Sequence, residues 1–234
     1  MIKKDSSPIN GILVINKPSD MTSHDVVDVV RRKFKMKRVG HAGTLDPLAT
    51  GVLVMLLGKA TKRFVEFSSF DKAYFATMVL GLTTDTADVR GKVIDKKSFD
   101  HVSEKSFREA LAHFTGDIDQ IPPMVSALKH NGKRLYQLAR EGIKVDLKAR
   151  RIRISLLELV DFSLPNAKIF LECSKGTYVR KIAEDIGEFL GCGACITQIH
   201  RTKVGPFDIK EAKDLNDVSI DDVRKINEND KICL

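Results

Sequence analysis

Short apolar segments alternate with amphipathic helical segments along this chain without a regular β-α-β rhythm, and this arrangement restricts the fold class most strongly. Periodicity predicts strands at residues 11–16, 52–57, 70–82, 151–162, 168–174 and 194–203. It predicts one helix with Ser23 as its cap, and three more helices at residues 103–114, 134–141 and 177–190. An α+β fold with a mixed, largely antiparallel sheet flanked by helices is therefore expected.

Length and hydropathy exclude two classes of protein. The longest apolar run, GVLVMLLG at residues 51–58, is far too short to span a bilayer. The N-terminal MIKKDSSPIN has no apolar stretch behind its lysines, so no secretory signal is predicted. A membrane protein and a secreted disulfide scaffold are excluded, and a cytoplasmic location is expected.

Positive charge is concentrated in two segments. The chain carries 39 Lys and Arg against 31 Asp and Glu, a net charge of +8. Residues 31–38 hold six basic residues and no acid, and residues 129–153 hold nine basic residues and two acids. One such run is typical of a solvated helix face. Two runs in one chain, with an acidic C-terminal stretch as counterweight, favour a nucleic-acid partner.

The CxxC spacing of Cys192 and Cys195 raises the question of zinc. A closed zinc site needs four ligands, usually as two close pairs. Cys173 and His200 do not form a second pair, and Cys233 stands alone near the C-terminus. Small buried thiols after a helix are therefore expected rather than a zinc site.

The segment GHAGTLDPLATG, at residues 40–51, is the densest candidate for chemistry. It lies between two predicted strands and holds both His41 and Asp46. A loop in this position suits a reactive carboxylate. Asp46 before Pro47 also suits a structural Asx turn, so from spacing alone both interpretations stay open.

Two further groups have similar alternatives. Asp85 and Asp88, three residues apart, suit a hard cation or a simple turn. Arg180 lies in the first turn of a predicted helix, where a cation opposes the helix dipole unless a carboxylate accompanies it. Arg180 is therefore either placed for a purpose or solvated on the helix surface.

Several long motifs, in order, resemble one family. NKPSDMTSHDVV, GHAGTLDPLATGVL, DKAYFATMVLGLTTDTAD, QIPPMVSALKHNGKRLYQLAREGIKV and CSKGTYVRKIAEDIG are similar to those of bacterial TruB-type tRNA pseudouridine synthases. The resemblance covers about residues 10–208 and implies the pseudouridine synthase fold, with a curved sheet. It also implies isomerisation of uridine 55 in the tRNA T-loop, an intramolecular transfer without metal or cofactor.

The resemblance assigns roles to six residues. Asp46 is similar to the family's nucleophile, Tyr74 to the tyrosine that lies against the uracil ring, and Arg180 to the arginine that pairs with the nucleophile. His41 matches a histidine implicated in base flipping, Asp88 an acid of the surrounding polar network, and Ile199 an aliphatic residue near the base. Such an enzyme must flip its target base out of the RNA structure.

Residues 117–150 resemble a thumb-like insertion that grips RNA. Its basic residues expected to contact phosphates are Lys129, Lys133, Arg134 and Arg140. Val125 stands where the family usually has tyrosine, and His200 where it usually has arginine. Residues 1–210 are expected to form the catalytic domain. Residues 211–234 are expected to be a short acidic tail, without the PUA domain that the family usually appends.

Three alternatives remain to be weighed against a stand-alone enzyme that acts as a monomer on the tRNA T-arm. A relative that depends on guide RNA is disfavoured by LDPLATG in place of LDPKVTG. A non-catalytic RNA-binding module is disfavoured by the intact set of Asp46, Tyr74 and Arg180. A metal phosphohydrolase built from His41, Asp46, Asp85 and Asp88 lacks metal-ligand spacing.

Overall fold

The computed structural model describes residues 9–126, 128–143 and 145–226. The strands are β1 Gly11–Lys17, β2 Val39–Ala42, β3 Thr50–Leu57, β4 Lys72–Leu80, β5 Leu82–Thr84, β6 Val93–Lys96, β7 Gly116–Gln120, β8 Lys129–His130, β9 Lys133–Arg134, β10 Arg150–Ser163, β11 Asn166–Cys173, β12 Ala194–Val204, β13 Phe207–Asp208, β14 Lys213–Asp214 and β15 Arg224–Lys225. The α-helices are α1 Ser23–Phe34, α2 Phe64–Ser68, α3 Glu104–His113, α4 Leu135–Arg140 and α5 Val179–Phe189. The chain divides into two compact units, one made of residues up to Phe70 and from Arg201 onward, the other of residues 71–200.

The first unit is built on β1. This strand pairs antiparallel with β3 from Gly11↔Leu57 to Lys17↔Gly51, parallel with β14 and antiparallel with β15. Both β1 and β3 are almost wholly buried, as continuous apolar runs predict. Phe67, Phe70 and Phe207 close the core, with ring centroids 5.8 to 6.3 Å apart.

Helix α1 begins one residue earlier than the sequence predicted. The cap is Thr22, whose side chain accepts a hydrogen bond from the amide of Asp25, while the Asp25 carboxylate accepts from the amide of Thr22. Ser23, predicted as the cap, is buried as the first helical residue instead. The prediction was wrong because two adjacent hydroxyl residues can both cap, and tertiary packing selects between them.

The second unit contains an antiparallel array in the order β4, β11, β10, β7. Phe107 of α3 is fully buried and packs on Phe162 of β10, with ring centroids 5.5 Å apart. Ile182 and Ile186 of α5 are also fully buried. The α+β class and the largely antiparallel mixed sheet are thereby confirmed.

Three local predictions were wrong. Residues 39–42 form β2 rather than loop, because they pair with β3. Residues 117–120, expected to be irregular, belong to β7, because Arg150–Ile154 of β10 supply hydrogen-bond partners. Phe189, expected to point inward from its helix, is half exposed and stacks on the ring of His113 at 4.8 Å.

Candidate active site

The loop that carries Asp46 leaves β2 and enters β3 within the first unit. His41 lies in β2 opposite Met55 of β3, at the start of this loop. Asp46 is half-buried in its middle, where the amide of Ala49 donates to the Asp46 backbone carbonyl over 3.0 Å. The backbone around Asp46 is therefore a defined turn between two core strands.

Contacts from β1 and α1 hold this loop in place. The Ser23 hydroxyl donates to the Leu45 carbonyl over 3.1 Å and accepts from the Leu45 amide over 2.9 Å. The Asp20 amide donates to the Pro47 carbonyl over 2.9 Å. Both residues that flank Asp46 are thus fixed by hydrogen bonds to the β1–α1 segment.

A buried lysine supports the same segment. Lys17 is fully buried, and its ammonium donates to the carbonyls of Pro18 and Met21 over 2.7 and 2.6 Å, and to Pro47 over 3.4 Å. Sequence reasoning did not single out this lysine. Its position at the end of an otherwise apolar strand was the available signal, because a lysine is almost never fully buried unless it is paired.

Asp88 and Arg180 lie together in the second unit. The Arg180 guanidinium is 3% exposed, and its Nε lies 3.8 Å from Oδ2 of Asp88. It also donates to the carbonyls of Thr86 and Val125 over 2.6 and 2.9 Å. The carboxylate that a cation in the first turn of a helix needs is therefore supplied, at least in part, by Asp88.

The turn around Asp88 is itself ordered. Oδ1 of Asp88 accepts from the Thr86 hydroxyl over 2.9 Å and from the Arg90 amide over 3.0 Å. The Asp85 carboxylate accepts from the Lys92 amide over 2.7 Å. Within residues 9–126, 128–143 and 145–226 no three His, Cys, Asp or Glu side chains cluster as metal ligands.

The start of α5, and so the position of Arg180, depends on Gln120. This residue is 2% exposed at the end of β7. Its amide group accepts from the Tyr178 amide over 2.8 Å and donates to the Tyr178 carbonyl over 3.2 Å. Sequence reasoning missed Gln120, since its role depends on a strand that was predicted to be irregular.

Tyr74 and Ile199 are both buried in the second unit. Tyr74 lies on β4 opposite Leu171 of β11, and Ile199 lies on β12. Beside Ile199, burial lowers the pKa of His200, and Lys168 lowers it further. The lowered pKa favours the neutral form of the His200 imidazole.

The four basic residues that were expected to contact phosphates lie around α4. Lys129 and Arg134 are exposed, and Lys133 lies 3.2 Å from the Glu141 carboxylate. Arg140 covers the ring of Tyr136, with its guanidinium carbon 5.6 Å from the ring centroid. Two of the four cations thus have partners within the segment.

The cysteines that were weighed as zinc ligands are buried free thiols. Burial raises the pKa of Cys192 and raises that of Cys195 to about 11. These thiols stay protonated at neutral pH, as expected for small buried residues. Cys233 lies outside the described residues. No helix in the described part of the chain is long and apolar enough to cross a membrane.

Comparison with solved structures identifies the class of protein. A chain of the crystal structure of a Cbf5-Nop10-Gar1 complex matches with a TM-score of 0.70 and 28% identity, over 90% of this chain and 54% of that one. A chain of an H/ACA RNP bound to a substrate RNA containing 2'-deoxyuridine matches with a TM-score of 0.67 and 25% identity, over 90% and 52%. This chain spans about half the length of those chains, and its fold is the pseudouridine synthase fold.

Comparison with curated relatives identifies the family. The tRNA pseudouridine synthase B of Syntrophotalea carbinolica is 48% identical over 91% of this chain and 69% of the relative. That of Francisella tularensis subsp. tularensis is 46% identical over 94% and 74%. The model of the TruB family pseudouridylate synthase N-terminal domain matches residues 31–179, and that of the tRNA pseudouridylate synthase B C-terminal domain matches residues 180–231. The chain belongs to the TruB family of pseudouridylate synthases.

Proposed function

We propose that this protein isomerises uridine to pseudouridine at position 55 in the T-loop of tRNA, by base flipping and covalent catalysis by Asp46. The observation that carries this proposal is the anchored loop with Asp46 at its centre, in a chain of the TruB family. Hydrogen bonds on both sides of a reactive group hold it in one position, which is what a positioned nucleophile requires.

The reaction makes modest demands on the protein. The bond between N1 and C1′ breaks, the uracil turns, and a bond between C5 and C1′ forms. The C5 proton leaves, and N1 takes up a proton. Nothing is oxidised and no water is consumed, so one ionised carboxylate, adding to uracil C6 or to ribose C1′, is sufficient as covalent catalyst.

The other residues serve this step in the proposed mechanism. Tyr74 lies against the uracil ring, Ile199 packs near the base, and His41 takes part in flipping. Arg180 is the cation that stabilises the ionised carboxylate. This role rests on the resemblance to the TruB family. The guanidinium itself is buried and contacts Asp88, Thr86 and Val125. A flipped base is held by such stacking and apolar contacts.

We propose further that residues 1–210 form the catalytic domain, to whose sheet the short strands β14 and β15 of the following segment add pairing with β1. In this proposal residues 117–150 grip the T-arm, and residues 211–234 add little to RNA binding. In this proposal the enzyme acts in the cytoplasm as a monomer, without guide RNA, metal or cofactor. The basic side chains around α4 support the gripping role, because phosphate contacts dominate the affinity for RNA.

Asp46→Asn tests the proposal. The amide keeps the shape and loses the nucleophile, so product formation is expected to stop while tRNA binding stays nearly intact. The assay is tritium release from 5-tritiated uridine in unmodified tRNA, with and without added guide RNA. Asp28→Asn, on the exposed face of α1, is the matched control and should keep wild-type turnover.

Retention of turnover by Asp46→Asn within about tenfold of wild type, a barrier change of only about 1.4 kcal/mol, would remove Asp46 from the mechanism. A requirement for guide RNA in this assay would contradict the proposal of a stand-alone enzyme.

A further inference from the structure

Arg201 is a buried cation at the foot of the Asp46 loop. The residue is 1% exposed, although it carries one of the largest side chains in the interior. Its Nε donates to the Val52 carbonyl over 2.7 Å, and its two terminal nitrogens donate to the carbonyls of Gly43 and Thr44 over 3.1 and 3.5 Å. One side chain therefore touches the backbone where the loop begins and where β3 follows it.

Burying a charged guanidinium lowers the stability of the folded protein unless hydrogen bonds to the protein replace those it made to water. Arginine stays charged when buried, and its planar fork of donors can bind several acceptors at once. The three acceptors are the backbone carbonyls of Gly43 and Thr44 in the loop and of Val52 in β3. The charge of Arg201 is thus directed to the backbone that carries Asp46.

The backbone at Arg201 fixes the far end of the loop as well. Gly51, the residue before Val52, has φ +101°, which side-chain-bearing residues rarely adopt. A Cβ added to Gly51 would lie 2.2 Å from the Arg201 carbonyl oxygen. The Arg201 backbone therefore packs directly against the loop's exit, while the Arg201 side chain reaches the loop's entrance.

We propose that Arg201 is a positioning residue, which holds the loop of residues 43–50 so that the Asp46 carboxylate is presented in one orientation. The inference rests on the proposed role of Asp46 as nucleophile. Misplacement of a reacting group by about 1 Å can cost about a hundredfold in rate. A cation that ties the loop's entrance to its exit restricts such movement.

The test uses the full chain with two substitutions and one control. Arg201→Met removes the charge and all three hydrogen bonds. Arg201→Lys keeps the charge but cannot reach three carbonyls at once. Val204→Ala, on the same strand and fully buried, lowers stability while leaving the three hydrogen bonds of Arg201 in place. For each variant, kcat, the Kd for unmodified tRNA and amide hydrogen exchange over residues 43–50 are measured.

The proposal predicts that kcat falls about a hundredfold in Arg201→Met and less in Arg201→Lys, while the Kd changes less than about twofold. Exchange over residues 43–50 should be about tenfold faster in Arg201→Met and unchanged in Val204→Ala, with α5 unchanged in all variants. If Arg201→Met does not fold, Arg201→Lys decides by the same three measurements.

Unchanged loop exchange together with kcat near that of Val204→Ala would overturn the positioning role. Faster exchange with undiminished kcat would also overturn it. Because exchange is measured without catalysis, it reports on the anchor even if Asp46→Asn proves active, so the failure of the catalytic assignment can be told apart from the failure of this one.

Discussion

At the residue scale, the pairing of Asp88 with Arg180 shows what a sequence can and cannot specify. The helix-dipole argument predicts that a cation at position 180 needs a carboxylate. Which carboxylate serves depends on contacts between segments 92 residues apart (180 − 88), and periodicity carries no information about them. The same limit applies to Arg201, whose acceptors lie about 150 residues away.

Asp88→Asn is therefore expected to destabilise the protein. The amide can still accept from Thr86 and Arg90, but it leaves the buried Arg180 without this charge. Removing one partner of a buried pair costs about 3 kcal/mol of unfolding free energy. Urea denaturation measures the loss. Asp85→Asn, in the same turn but exposed, should lose less than about 1 kcal/mol, and equal losses in the two variants would contradict the argument.

At the element scale, α1 illustrates why boundaries are harder to predict than elements. The apolar spacing of Val26, Val30 and Phe34 predicts the helix, and all three residues are buried. Thr22 and Ser23 are both possible caps for this helix. Because the Ser23 hydroxyl binds the carbonyl of Leu45 in the Asp46 loop, Thr22 serves as the cap. Strands β2 and β7 escaped prediction for a related reason, because a strand's stability lies largely in its neighbours.

Thr22→Ala should lower the unfolding free energy by about 1 kcal/mol at pH 7, since an N-cap hydrogen bond is lost. The pKa of Asp25 is lowered by its hydrogen bonds with the Thr22 side chain and then the Thr22 backbone. Because the pKa of Asp25 is lower in the folded than in the unfolded protein, where it is about 3.9, the ionised carboxylate stabilises the folded state at pH values above about 3.9. This contribution to the unfolding free energy is lost as the pH falls through the pKa of Asp25 in the folded protein.

The difference between Thr22→Ala and wild type should therefore narrow as the pH falls below about 4, as measured by urea denaturation across a pH series. In an Asp25→Asn background the difference should no longer depend on pH in this range. If the difference in unfolding free energy between Thr22→Ala and wild type stays constant with pH while Asp25 is present, Asp25 is not coupled to the cap.

At the scale of the whole molecule, charge and topology were predictable to different degrees. The α+β class follows from irregular alternation of strands and helices, and the polyanion partner was inferred from two basic runs. The partition into two units, with residues from Arg201 onward returning to the first, could not be predicted, because β14 and β15 are two-residue strands that form only beside β1. The family motifs, rather than periodicity, pointed to Asp46.

The last prediction concerns how the whole molecule holds RNA. Replacing Lys129, Lys133, Arg134 and Arg140 by alanine should weaken tRNA binding and reduce its dependence on salt. Each lost phosphate contact lowers the slope of log K against log salt by about 0.7 to 0.9, so the four together lower it by up to about 3.6. Lys133 contacts Glu141, and Arg140 contacts Tyr136. Because these two cations already have partners in the protein, the measured reduction in slope should lie below that bound.

The matched control replaces four exposed lysines of the same unit by alanine: Lys92, Lys96, Lys97 and Lys105. This control removes the same charge without touching the segment around α4, so it should change the slope little if local phosphate contacts, rather than net charge, determine binding. Filter binding between about 50 and 200 mM salt measures both slopes. If the variant around α4 binds with the wild-type slope, RNA lies elsewhere, and residues 31–38, with Arg32, Lys33, Lys35, Lys37 and Arg38 exposed, become the face to neutralise next.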